Sequence, residues 1–278
     1  MLNISWDPVL IALSYLVAFI ASFVALDSAG KIPLSSRKTA MFWRIAGGVT
    51  LGIGIWSMHF IGMLSMQMPM IMSYNLWLTL ASLGVAVVAS TVAINIAVTG
   101  KTLSPFRLIV ATVLLSAGVV CMHFIGMAAL MLDSHILWDR RIVAVSVLIA
   151  VMASGAALWL AFRLRDMRKG VFINRILAAC VLGVAICAMH YTGMRAAHFQ
   201  EMTHTLPGGI SELGLSVWVS VTTLCLLGGM LMISLIDSHR RTNRLTDNLR
   251  QLNRQLELQA RFRKISLCLP EMRLCSRQ

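Results

Sequence analysis

Three histidines recur in one short pattern along the chain. Trp56-Ser57-Met58-His59-Phe60-Ile61-Gly62-Met63, Cys121-Met122-His123-Phe124-Ile125-Gly126-Met127 and Met189-His190-Tyr191-Thr192-Gly193-Met194 each set a histidine among methionines. Residues four apart on a helix stack on one face. His59 with Met63, His123 with Met127 and His190 with Met194 therefore each offer an imidazole and a thioether one turn apart. Met58, Met122 and Met189 are rotated by about 100° from the histidines they precede, and either reach the same point or turn away from it. Imidazole with thioether is a soft donor set that favours copper, Cu(I) above all, over zinc or magnesium. Haem ligated by two of the imidazoles is the less favoured alternative.

A lone histidine in an apolar helix is as readily a packing residue as a ligand, and with 19 methionines in the chain most of them are filler. The metal expectation therefore rests on the histidines recurring together. Secondary candidates are weaker. Cys121 is either a thiolate donor or a buried small residue, and Tyr191 is either a hydrogen-bond donor to a bound diatomic or an interfacial anchor. His135, His198 and His204 read as solvated loop residues, with surface metal capture as the alternative. Gly62, Gly126 and Gly193 read as close-packing positions.

The elements that must carry these residues are membrane helices. The 278 residues are 58% hydrophobic and 13% charged, a composition a water-soluble domain of this size does not reach. Crossing a hydrocarbon core takes ~20 helical residues. Seven apolar stretches qualify: Pro8–Leu26, Ile45–Met66, Leu76–Val98, Leu108–Leu132, Ile142–Phe162, Ile176–Met194 and Leu215–Ile236, and none contains Asp, Glu, Lys or Arg. Barrel strands would be shorter and would alternate polar with apolar.

Basic residues set the expected orientation. Of the 24, 21 fall in the first, third and fifth connections and the tail, and only Arg140, Arg141 and Arg195 lie on the other face. This predicts a multi-pass membrane protein with the N-terminus outside and the C-terminus cytoplasmic. The net charge of +13 then reads as topology and attraction to the lipid bilayer, with no nucleic acid as partner. With Asp7 and no basic residue before the first span, that span is expected to stay as an anchor. Two cysteines lie in the tail and four in spans, which gives no extracellular disulfide framework.

The histidines are 64 and 67 residues apart, and a fainter signature marks the odd spans: Ala21-Ser22 with Ala25, Ala89-Ser90 with Ala93, Ala153-Ser154 with Ala157. The expected fold is all-α: a polytopic membrane protein whose seven transmembrane helices form three parallel two-helix repeats plus a seventh helix. His59 lies 15 residues after Arg44, His123 16 after Arg107 and His190 15 after Arg175. At ~1.5 Å per residue, all three share one level in the outer leaflet. Residues 1–236 form the membrane domain. Residues 237–260 form a cytoplasmic helical linker whose Leu245, Leu249, Leu252 and Leu256 make a short coiled-coil seam, and 261–278 form a tail with no recognisable domain.

The recurring Met-His-Phe/Tyr-x-Gly-Met, with a literal Met189-His190-Tyr191-Thr192, resembles the MHYT family of bacterial membrane sensor domains over roughly residues 8–236. The resemblance implies a seven-span inner-membrane module that binds copper through motif His and Met residues and senses a diatomic gas such as O2, CO or NO. Carried over by position, it nominates Met58, His59, Met63, Met122, His123, Met127, Met189, His190 and Met194. Phe60-Ile61 and Phe124-Ile125 depart from the Tyr-Thr of the family name. Family members usually continue into an output domain that makes or degrades cyclic di-GMP, or into a histidine kinase. The residues after Ile236 match neither, so the output is expected to be absent, truncated or supplied by a partner.

The favoured reading is a signalling sensor for a diatomic gas or redox state, with output through a cytoplasmic protein or a homodimer formed by the tail. Its competitor is a copper-handling or copper-transport protein, which calls for further polar stations along the path. The inner halves of the spans offer little beyond Ser, Thr and Asn95. A retinal-type receptor needs a lysine within a span, and all five lysines lie outside. No general-base carboxylate or phosphate-binding glycine loop points to an enzyme, and Pro207-Gly208-Gly209 reads as an external turn.

Overall fold

The computed structural model describes residues 5–68, 72–100, 102–133, 136–165, 171–199 and 208–275. Among the described residues seven helices are long and apolar enough to cross a membrane, the seventh of them the helical run Glu212–Arg261, and the protein is an all-α, multi-pass membrane protein. The chain divides into two compact units, Met1–Leu231 and Met232–Gln278.

In the first unit the helices are α1 (Pro8–Lys31), α2 (Arg37–Leu64), α3 (Leu76–Val98), α4 (Pro105–Ala128), α5 (Arg140–Arg165), α6 (Val171–Arg195) and α7 (Glu212–Thr223). The chain then makes a π-helical turn, Leu224–Gly228, into α8 (Gly229–Cys275). The first six close a ring: each packs on the next, and α6 packs back on α1. α7 lies outside the ring against α2. That placement explains why 89% of the α2 apolar window is buried while the other spans bury 22–44%.

Small residues set the spacing. Within a repeat, Gly54 of α2 meets Ala21 of α1, and Gly118 of α4 meets Ala89 of α3. Between repeats, Gly48 and Gly52 of α2 bring its backbone against Thr91 and Val87 of α3. Lipid offers no hydrophobic drive for association, so close backbone approach supplies the contact energy. The serines of the odd-helix signature, Ser22, Ser90 and Ser154, are buried.

Among the described residues six two-residue strands form a rim at the histidine end of the ring, taken as its outer end: β1 (Ser5–Trp6) pairs with β2 (Met66–Gln67), β4 (Leu137–Trp138) with β5 (Ala197–His198), and β3 (Ser73–Tyr74) with β6 (Ile210–Ser211). Tyr74 also bridges to Leu130. The strand before each odd helix thus meets the end of the even helix of its own repeat. The residue after that strand completes the tie. Asp7, Asn75 and Asp139 each cap the following helix, accepting from Val9 N at 2.8 Å, Leu78 N at 3.1 Å and Arg141 N at 2.8 Å. Their own amides donate to Ser65, Ala129 and Ala196 carbonyls at 2.7–2.9 Å. Each cap satisfies a donor that the helix start leaves open. Gly208 and Gly209 have φ of +102° and +87°, the left-handed region that glycine enters without strain.

The second unit is helical to Cys275. Its leucines at 245, 249, 252 and 256 are exposed.

Candidate metal centre

α2, α4 and α6 carry His59, His123 and His190 in their last outer turns, and the ring brings the three imidazoles together. Ring centroids lie 5.0 Å (His59–His123), 4.9 Å (His59–His190) and 5.4 Å (His123–His190) apart. One ring nitrogen from each falls within 4.8 Å of the others. All three side chains are buried, with at most 1% exposure. This is the single group of three or more His, Cys, Asp or Glu with that geometry among the described residues.

The glycine of each motif explains how the rings fit. Gly126 lies against the imidazole of His59, Gly193 against His123, and Gly62 against His190. Each glycine seats the histidine of a neighbouring repeat, so the three contacts run round a closed circle. A methyl at any seat would overlap the ring. The glycines serve close packing as expected, but their partner is a side chain rather than a helix backbone.

The next motif residue repeats the circle one layer outward. Phe60 stacks on Tyr74 with centroids at 6.3 Å, Phe124 on Trp138 at 5.0 Å, and Tyr191 on Trp6 at 5.8 Å, all edge-to-face. The aromatic–Asx pairs Trp6-Asp7, Tyr74-Asn75 and Trp138-Asp139 form a third repeated signature, present in the sequence at separations of 68 and 64 residues. On the inner side, the positions four and eight residues before each histidine are apolar: Ile55, Val119 and Ile186, then Leu51, Leu115 and Leu182. They line a cavity of about 30 Å³ that also touches Ser22, Ser154 and Met189.

Hydrogen bonding within the triad is incomplete. His59 Nδ1 and His190 Nδ1 stand 3.0 Å apart, so one ring gives its N–H and the other its lone pair. Nε2 of His59, Nε2 of His190 and both nitrogens of His123 have no hydrogen-bond partner. An unpaired buried polar group is costly, and the triad carries four of them, of which the three Nε2 atoms lie against the motif glycines. An imidazole nitrogen lies about 2 Å from a metal it ligates, so donors spread over less than 4.8 Å surround a space of one-ion size. The three imidazoles fit a transition-metal cation of the kind imidazole binds.

The methionines are buried in every motif: Met58, Met63, Met122, Met127, Met189 and Met194. Met127 lines an outer pocket of about 370 Å³ with Phe124, Leu132 and Trp138, and Met189 lines the inner cavity. Cys121 faces outward and is exposed, which corrects the buried or ligating role expected of it: it precedes Met122 on the side of α4 turned away from the ring. The Tyr191 hydroxyl is engaged by Ser14 Oγ at 2.9 Å. His198 sits in β5 opposite Leu137, while His135 and His204 lie outside the described residues.

Comparison with known proteins fits this architecture. The family described as MHYT, bacterial signalling protein N-terminal repeat, matches residues 52–111, 117–173 and 183–244. Each matched segment joins the end of an even helix to the odd helix after it. The chain is 42% identical over 260 residues to the bifunctional diguanylate cyclase/cyclic di-GMP phosphodiesterase MucR of Pseudomonas aeruginosa, covering 92% of this chain and 38% of that protein. It is 31% identical over 254 residues to the signaling protein YkoW of Bacillus subtilis, covering 89% and 31%, and 33% identical over 195 residues to the cyclic di-GMP phosphodiesterase NbdA of P. aeruginosa, covering 70% and 25%. It thus spans only about a third of the length of these relatives. No solved structure matches it. Three aligned repeats and these relatives identify a membrane signalling sensor: the chain belongs to the MHYT family of bacterial signalling proteins.

Proposed function

We propose that the three-histidine layer is a copper centre through which the protein senses a diatomic gas (O2, CO or NO) or redox state. The observation that carries this is the meeting of three fully buried imidazoles, with one ring nitrogen of each within 4.8 Å of the others. Copper, when bound, supplies a redox-active site able to take a diatomic ligand. His59, His123 and His190 would hold it, and the motif methionines are the soft donors next along the same helices. Gly62, Gly126 and Gly193 keep the imidazoles from turning away, and the aromatic collar and apolar floor exclude water. A guest that draws the three rings together acts on three helix seams at once, and only a difference in affinity between two packings makes that a signal.

The basic residues favour a cytoplasmic C-terminus, so the change would pass along α7 and α8 to a cytoplasmic output. The names of MucR and NbdA favour cyclic di-GMP as that output. The apolar floor speaks against copper transport, because a conduit needs polar stations beneath the site.

The test is metal analysis and the visible spectrum of protein purified in detergent under reducing, copper-replete conditions, beside His59→Ala/His123→Ala/His190→Ala. Copper in the wild type and its absence from the variant are expected. Equal copper in both would overturn the centre, and a haem band in the wild type alone would replace copper with haem.

A further inference from the structure

The second unit presents an apolar face that its own fold leaves uncovered. Leu245, Leu249, Leu252 and Leu256 are between 52% and 63% exposed, although they lie on one continuous helix with spacings of 4, 3 and 4. That spacing is the a/d seam of a left-handed coiled coil. Leu249 and Leu256 take a, and Leu245 and Leu252 take d.

The residues around the seam say what fits it. In a parallel pair, the g position of one helix meets the next e position of the other. From Leu245 to Leu256 the e and g positions are Thr246, Asn248, Asn253 and Gln255, and none is charged. Asn248 of one copy would face Asn253 of the second, two amides that can each donate and accept. The charges Asp247, Arg250, Arg254 and Glu257 all fall on b and f, the outer side, where Arg250 pairs with Asp247 at 3.5 Å. A strongly basic chain that keeps its charges off this one face removes the repulsion that would otherwise keep two copies apart. A lipid surface would instead favour arginines flanking the leucines.

We infer that the tail is a homodimerisation surface, a parallel two-stranded coiled coil of two copies of this chain joined through Leu245, Leu249, Leu252 and Leu256. Two heptads are marginal in free solution. The membrane holds both copies in the same sense and raises their effective concentration, so a short seam suffices. This inference stands whether or not the histidines hold a metal.

Single cysteines at Leu249, Leu252, Leu256, Asp247, Arg250 and Arg254, introduced into the full chain with its six native cysteines replaced by serine, are oxidised mildly in native membranes. Disulfide-linked dimer at the three leucine positions, on the order of five-fold or more above the three outer positions, is the expected result. Leu249→Asp/Leu252→Asp should then abolish the cross-link at Leu256→Cys, with the protein still in the membrane at wild-type level. Equal cross-linking around the helix, preference for the outer positions, or no dimer at any leucine overturns the proposal. Labelling of the leucine face by a lipid-phase reagent in place of cross-linking does so too, and assigns that face to the bilayer.

Discussion

The two ends of the helix ring treat their repetition differently. At the outer end, all three repeats make the same contacts: imidazole on glycine, aromatic on aromatic, Asx cap on helix start. At the inner end, the corresponding arginine of each repeat finds its own partners. Between repeats three and one, Arg175 donates to Asp27 at 2.6 Å, and Lys31 pairs with the same carboxylate at 2.8 Å while lying 4.3 Å over the Trp43 ring. Between repeats one and two, Arg44 donates to Asn95 Oδ1 at 3.2 Å and Thr99 Oγ1 at 3.0 Å. In repeat two, Arg107 turns back to its own repeat and donates to the Ile96 and Thr99 carbonyls at the end of α3. A shared centre needs equal contributions from every repeat, which holds the outer layer to one pattern. Among the described residues the inner ends share no such cluster and are free to differ.

Substitutions can break or sharpen that contrast. The largest effect is expected at the histidines: His59→Ala, His123→Ala and His190→Ala should each reduce bound copper close to background, and to similar degrees. Metal analysis that finds one of the three dispensable would end the equivalence of the outer layer. Next comes Asp27→Ala. Side chains here are only 5–13% exposed, and losing one partner of a buried charge cluster costs about 3 kcal/mol, read as a lower Tm in detergent.

The motif glycines follow. Gly62→Ala, Gly126→Ala and Gly193→Ala each force a ring from its seat, which overpacking places at about 1–3 kcal/mol, and all three should lower Tm alike. Gly84→Ala meets nothing within 4 Å and serves as the control, with no loss of Tm. In a His59→Ala background the Gly126→Ala penalty should vanish, because the ring it collides with is gone; a penalty that persists would show the glycine serves the backbone instead. Smallest is Asn95→Ala, which removes one exposed acceptor and should cost about 1 kcal/mol or less. Equal losses for Asn95→Ala and Asp27→Ala would refute the asymmetry of the inner end.

Much of this was legible before the fold was known. Apolar runs of span length need no tertiary information, because lipid leaves a helix as the one way to satisfy the backbone within a single segment. The repeats were legible because histidine is rare in such runs and its recurrence stands out. Asp27 was missed because the first span was drawn to Leu26, the end of the apolar run, whereas α1 continues to Lys31. The aromatic–Asx signature was passed over because each copy is two residues long and lies where a loop was expected. Cys121 was misplaced because adjacency in sequence to Met122 says nothing of which helix face points inward.

The amino-acid order on its own determined the helices, their threefold repetition and the shared level of the histidines, since hydropathy, spacing and rise per residue are properties of the chain. Only the tertiary structure decided that the repeats close into a ring with α7 outside it, that each glycine seats the imidazole of a neighbouring repeat, and that four ring nitrogens are left without partners. Those facts depend on which faces meet, and helices of almost uniformly apolar surface do not announce their inward side until close packing selects it.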